Sequence, residues 1–192
     1  MLKILYQEVV KLPWSEGAVE RHDFPGFHED YLVLHSLIRR YQPRCFMEIG
    51  TSSGSGTAVI CNAMAGRSVL SVEKSEMLES GEKSGVNCKL RYTQLILNSK
   101  MLPALAQGSA LAFGGSYFTY PDGWFIDGDH SYEGCKADSG NAFPFWPLIV
   151  VWHDYQIEGV ARAVAEAEKE HPEYKFTHVT GTRVVYAVRR SL

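Results

Sequence analysis

"FMEIGTSSGSGT", residues 46–57, is the stretch on which the reading of this chain turns. A buried-looking apolar run reaches an acid at Glu48, opens into Gly50, Gly54 and Gly56, and closes into "AVICNAMAG", which has the composition of a helix. Strand, glycine-rich turn and helix together make a cradle: the backbone approaches a ligand closely and the helix start points N–H groups at it. The spacing is G-x-x-x-G-x-G. That excludes the G-x-G-x-x-G dinucleotide turn, and no Lys-Ser or Lys-Thr pair follows to make a P-loop. Glu48 disfavours a pyrophosphate and suits a ligand that carries a cation.

Outward from this turn the chain alternates strands and helices. Residues 28–41 read as a helix ended by Pro43, 44–49 as a strand and 55–65 as the next helix. Residues 68–73, 91–97, 123–127 and 148–154 read as further strands. A helix is predicted to start near Ser131, and "IEGVARAVAEAEKEH" (157–171) places Ile157, Val160, Ala161 and Val164 on one stripe. The end, "KFTHVTGTRVVYAVRR", reads as an antiparallel hairpin about "TGTR". The class is therefore α/β, a mostly parallel sheet with helices on both faces. Ligands of such sheets lie at the carboxyl ends of the strands, so Glu48, Glu73, Asp127 and Asp154 should converge on one edge. Glu73, about twenty residues past the turn, stands where an acid accepts ribose hydroxyls. A ligand with a ribose, a carboxylate and a positive charge but no phosphate is S-adenosylmethionine.

Composition narrows the function classes. At 192 residues the chain is read as one domain, with 1–30 as an N-terminal arm or lid and 31–192 as the core. A net charge of -3 gives no footprint for nucleic acid. No apolar run approaches the roughly twenty residues that cross a bilayer. Cys45, Cys61, Cys88 and Cys135 show no metal spacing and are expected to be reduced, in a cytoplasmic protein. The early segment with Trp14, His22, Phe24, Phe27 and His28 is either a lid or a packing arm.

"FMEIGTSSGSGT", "SVEKS", "FIDGDHSYEGCKAD" and "VVWHDY", in this order, resemble the class I S-adenosylmethionine-dependent methyltransferases. The likeness is closest to the small-molecule O-methyltransferase branch with an "IDGDHSYE" segment followed by "HDY", and it covers roughly residues 34–165. It implies a Rossmann-like, seven-stranded sheet with an antiparallel last strand. It also implies that Glu48, Gly50, Thr51, Ser52, Gly54, Ser55 and Gly56 hold the methionine end of the cofactor, with Asp127 beside it. Glu73 would take the ribose, and Asn98 and Ser99 would lie near the adenine, where the family more often has an Asp.

The same resemblance makes Asp127, His153 and Asp154 candidate ligands of a divalent metal. Related enzymes of the macrocin type have acids at these positions, and His153 departs from that pattern. Magnesium prefers oxygen ligands, so an imidazole moves the expectation toward manganese, iron or zinc, or toward no metal. Asp129, His130 and His153, in that order, are the candidate bases for an acceptor hydroxyl. The alternative reading of His130 is a residue at the start of a helix capped by Ser131. The expected partner is a small-molecule acceptor, with no nucleic acid or membrane partner; the oligomeric state is left open, a homodimer among the options. The alternatives are a cofactor-binding module without turnover, or a metal-dependent hydrolase or oxygenase.

Overall fold

Strand alternation explains the layers of this protein. In β2 (Cys45–Ile49), Cys45, Met47 and Ile49 pack into one core cluster, whereas Phe46 packs into the other. The same alternation recurs in β7 (Gly123–Ile126), where Trp124 and Ile126 oppose Phe125. It recurs again in β8 (Ile149–Trp152), where Val150 and Trp152 oppose Ile149 and Val151. A strand side chain changes face at every residue, so a sheet buried on both sides needs apolar residues at every position. All three strands are buried throughout.

The computed structural model describes residues 1–10, 27–52, 54–73, 92–96, 112–113, 116–117 and 120–190. The other strands are β1 (Leu2–Leu5), β3 (Ser68–Glu73), β4 (Tyr92–Ile96), β5 (Ala112–Phe113), β6 (Ser116–Tyr117), β9 (Tyr174–Thr180) and β10 (Val185–Arg189). The helices are α1 (Tyr6–Val9), α2 (Phe27–Tyr41), α3 (Ser55–Met64), α4 (Tyr132–Ala142) and α5 (Glu158–Glu170). The main sheet runs β1-β9-β10-β8-β7-β2-β3-β4, and β5 and β6 pair by themselves. Seven of its strands give the expected arrangement: parallel pairs from β8 to β4, and a last strand, β10, antiparallel to both neighbours. An eighth, β1, pairs parallel with β9 at the edge, an element with no signal in the sequence pattern. Its residues alternate too little to announce it, and three of the four are exposed.

Helices α2 and α3 cover one face through Val33, Leu34, Leu37, Ile38, Val59, Ile60, Ala63 and Met64. Helices α4 and α5 cover the other through Cys135, Ala142, Val160, Ala163, Val164 and Ala167. Trp152 is wholly buried and donates Nε1–H to Ser139 Oγ at 2.9 Å. Ser131 caps α4, its hydroxyl accepting from Gly134 N. Cys45 and Cys135 are free and buried, but Cys61 is disulfide-bonded, which corrects the expectation that every thiol is reduced. Spacing along the chain does not reveal which thiols the fold brings within bonding distance.

The strands on either side of β2 leave it in opposite directions along the chain, toward β3 and β4 or toward β7 and β8. This is the switch point at which such sheets open a crevice beyond the strand ends. The chain turns out of β2 at Gly50, with φ of 97°. A Cβ there would sit 2.2 Å from the Asp127 carbonyl oxygen, so β7 ends directly against the turn. Gly50→Ala is expected to cost about 2 kcal/mol or more, because it combines a left-handed backbone with a clash against main chain. Urea unfolding of the variant, with an unchanged midpoint as the contrary result, checks this.

Candidate active site

Glu48 has the same parity as Phe46 and therefore faces α2 and α3, at the last turn of β2 before the glycine loop. Its cross-strand partner in β3 is Ser71. Ser71 Oγ donates to Glu48 Oε2 at 2.6 Å, and Thr57 Oγ1, from the first turn of α3, donates to the same oxygen at 2.5 Å. The second oxygen, Oε1, is buried without a hydrogen-bond partner. A Cβ on Gly56 would come 2.8 Å from it, so the absent side chain at 56 is what lets α3 start over the carboxylate. Burial pushes the Glu48 carboxyl up to about 8, against the lowering effect of the two hydroxyls.

The loop itself is tied to the next strand. Ser52 N donates to Glu73 Oε2 at 2.7 Å, Gly50 N donates to Val72 O at 2.9 Å, and Thr51 Oγ1 bonds Ser71 Oγ at 2.5 Å. Gly54, the residue before α3, offers no side-chain cap. Glu48, Gly50, Thr51, Ser52, Gly54, Ser55, Gly56 and Glu73 are thus brought together around one turn. Asn98 and Ser99 lie outside the described residues.

A second group stands at the ends of β7 and β8. His153 continues the parity of Ile149 and Val151, and it enters the α2 side between Phe125 and Tyr31. Its Nδ1 donates to Asp127 Oδ1 at 3.0 Å and its Nε2 to Asp30 Oδ2 at 3.1 Å. With a carboxylate on each nitrogen the ring is an imidazolium. Burial alone would lower its pKa, but the bonds to Asp127, Asp154 and Asp30 outweigh burial and push it up to about 11. Burial likewise works to raise Asp127, and bonds from His130 and His153 hold it below its ordinary value. Asp154 adopts φ of 53°, a left-handed conformation that aspartate tolerates, so its carboxylate turns back toward His153. It too titrates below the usual range, since its bonds to His153 overcome burial.

His130 Nε2 lies 3.4 Å from Asp127 Oδ1 and 3.4 Å from Asp154 Oδ2, with its side chain 40% exposed at the rim. Asp129, exposed beside it, accepts from Ser131 N at 2.9 Å through Oδ1, at the start of α4. Tyr132 is turned onto α5, where its hydroxyl bonds Glu166. Tyr155 packs against His178. Asp127, His153 and Asp154 offer ligand atoms within 4.8 Å of one another.

Two members of this group carry no motif. Asp30 is 1% exposed and accepts from Arg183 N at 2.9 Å and Arg183 Nε at 2.7 Å. Arg183 also reaches Asp154 Oδ1, at 3.3 Å. Asp30 did leave a trace in the sequence, since it precedes Val33 and Leu34 on the buried stripe of α2, where an acid needs a partner. Arg183, in a polar turn, left none.

No family model matches the chain, and no curated protein matches it. Solved structures do. An O-methyltransferase from Bacillus cereus in complex with SAH superposes with a TM-score of 0.63 at 16% identity, covering 96% of each chain. Cofactor-bound Rv0187 from MTB gives 0.65 at 18% identity, over 97% of this chain and 87% of that one. The O-methyltransferase TomG from Streptomyces achromogenes, in complex with SAM, gives 0.62 at 17% identity, over 85% and 81%. At these identities the likeness is one of fold, and it agrees with the strand order described above.

The raised Glu48 carboxyl has a consequence for stability. Its folded value lies above its unfolded one, so its contribution is complete below about pH 4.5 and is lost as pH rises toward 8. Glu48→Gln removes this dependence. Chemical unfolding of both proteins between pH 5 and 8.5 should show the variant gaining on the parent as pH rises; parallel curves would contradict the assignment.

Proposed function

We propose that this chain is an S-adenosylmethionine-dependent methyltransferase acting on a small molecule, at a hydroxyl oxygen. The observation that carries the reading is Glu48 Oε1, a buried carboxylate oxygen left unpaired at the floor of a glycine turn. A cationic ligand group there would offset the burial that raises this carboxyl. The uncapped start of α3 supplies N–H groups for a ligand carboxylate, and Glu73 stands at the end of the neighbouring strand for a ribose. Cation, carboxylate and ribose are the three features of this cofactor. Asn98 and Ser99 are proposed for the adenine on resemblance alone.

When bound, S-adenosylmethionine supplies an electrophilic methyl group. The chain's own task is to orient the acceptor in line with that methyl and to exclude water, which accounts for much of the rate in such displacements. The acceptor hydroxyl must also lose a proton. His153 is poorly suited to take it, being 2% exposed with a carboxylate on both nitrogens. Asp129, exposed at the start of α4, is proposed as the base. Asp127, His153 and Asp154 would hold a divalent cation, and their donor set fits one: an imidazole and two carboxylates on adjoining strand ends. Such an ion would stabilise the acceptor as its anion.

Calorimetry with S-adenosylmethionine and S-adenosylhomocysteine tests the cofactor, binding of neither in the micromolar range being the outcome that sinks the reading. Glu73→Ala is expected to weaken both by about tenfold or more, as loss of hydrogen bonds to a charged partner costs about 1.5–3 kcal/mol. Unchanged affinity would remove Glu73 from the site. Tight cofactor binding without transfer to any hydroxylated acceptor in a broad panel would leave a binding module.

A further inference from the structure

His28, one of the histidines of the early aromatic segment, lies in the first turn of α2. Its ring nitrogen Nδ1 is buried and has no hydrogen-bond partner among the described residues. Glu48 Oε1 is in the same condition, on a residue that is 0% exposed. Native structures rarely leave buried polar atoms unpaired, and each such atom needs a reason. We propose that His28 binds the α-carboxylate of the cofactor, across from the start of α3, while Glu48 takes the cationic end of the same amino-acid group. This rests on the cofactor reading and adds to it a residue of α2, from outside the glycine turn.

Helix register brings His28 to that place. The first turn of α2 lies beside the strand ends, where Asp30 bonds His153, and the helix then leads into the start of β2. α3 begins beyond the end of β2 and leads in turn into the start of β3. The two helices therefore run in the same direction, packed together against one face of the sheet. Midway along them, His35 Nε2 and Asn62 Oδ1 are 3.1 Å apart. Seven residues back along each helix, about two turns and 10 Å, stand His28 and Ser55. His28 is thus level with the first residue of α3, whose leading N–H groups have no side-chain cap.

Tyr31 sets the depth. It comes three residues after His28 and so shares its side of the helix. Its ring stacks on His153 with 10° between the planes. Burial, then Asp127 and Glu48, hold its hydroxyl above the ordinary tyrosine range, so it stands between the cradle and the strand ends. His28 is one turn further out, over the same crevice. The chemistry of the two unpaired atoms is complementary. A helix start attracts a carboxylate, and an imidazole nitrogen donates to one whenever it carries the proton. Glu48 Oε1, 2.8 Å from where a Cβ on Gly56 would stand, can accept from an ammonium. A helix start alone takes any anion; a buried acid beside it disfavours phosphate and selects a zwitterion.

Calorimetry with S-adenosylhomocysteine and with its decarboxylated analogue, which keeps the amine and the nucleoside, tests the assignment. His28→Ala is expected to weaken S-adenosylhomocysteine about 10–100-fold, the loss that accompanies a hydrogen bond to a charged group. The same variant should bind the decarboxylated analogue as the parent does. His28→Asn sets an amide N–H close to the position of Nδ1 and should restore most of the affinity, whereas the longer His28→Gln should not. Undiminished S-adenosylhomocysteine binding by His28→Ala overturns the proposal and leaves the methyltransferase reading standing. An equal loss for both ligands overturns it as well, being the mark of a residue that only packs α2. Asn and Gln variants that bind alike would do the same, even if the alanine variant fails to fold. A parent protein that binds neither ligand sinks the cofactor reading, and this assignment falls with it.

Discussion

The structure depends above all on a positive ring held between a buried carboxylate, Asp30, and a part-buried one, Asp127. His153 donates to Asp127 from one side and to Asp30 from the other, and both bonds lie where water does not reach freely. A buried charge is tolerated only when it is paired and hydrogen-bonded, and removing one partner of such a pair costs about 3–5 kcal/mol. The requirement spreads outward. Asp30 brings α2 onto the strand ends, Arg183 brings in the β9–β10 turn, and Asp154 needs a left-handed backbone to join them. Elements more than a hundred residues apart are thus fastened at one point.

That fastening sits beside the glycine turn. Gly50 meets the end of β7 at the Asp127 carbonyl, so the cradle and the charged cluster share a wall. On the cradle side the constraint has the opposite character: Glu48 is buried with one oxygen satisfied twice and the other not at all. A protein that leaves a carboxylate oxygen buried and unpaired carries a penalty of roughly 1–3 kcal/mol or more. Such penalties collect where a ligand is meant to relieve them. On one side of the crevice the charged groups bond one another, and on the other a buried carboxyl oxygen has no hydrogen-bond partner. Strand parity places both on the α2 and α3 side of the sheet, because Glu48, Asp127 and His153 each follow an α2-facing residue by two.

Much of this was legible beforehand because it is local. The run of apolar residues into Glu48, the glycine spacing and the helix after it are contiguous in the chain, and they formed as read. The convergence of Glu48, Glu73, Asp127 and Asp154 followed from a rule about parallel sheets that needs no coordinates. His130 was visible as a residue but not as a neighbour of Asp154, because that contact runs between two strand ends. Asp129, next to it in the motif, accepts from Ser131 N at the start of α4. Adjacent residues in a turn leave in different directions, and only the backbone decides which.

The sequence by itself determined the α/β class, the order of the main-sheet strands from β2 onward with the helices between them, the antiparallel end and the turn that excludes dinucleotides and phosphate loops. Each of these is set by short-range periodicity or by a few consecutive residues. Tertiary structure alone decided the edge strand β1, the disulfide at Cys61 and the partners of His153. Pairing at a sheet edge, thiol proximity and charge compensation are properties of distance in space. Asp30 and Arg183, 153 residues apart, show the limit most clearly. No pattern along the chain joins them, and the field of a buried imidazolium does.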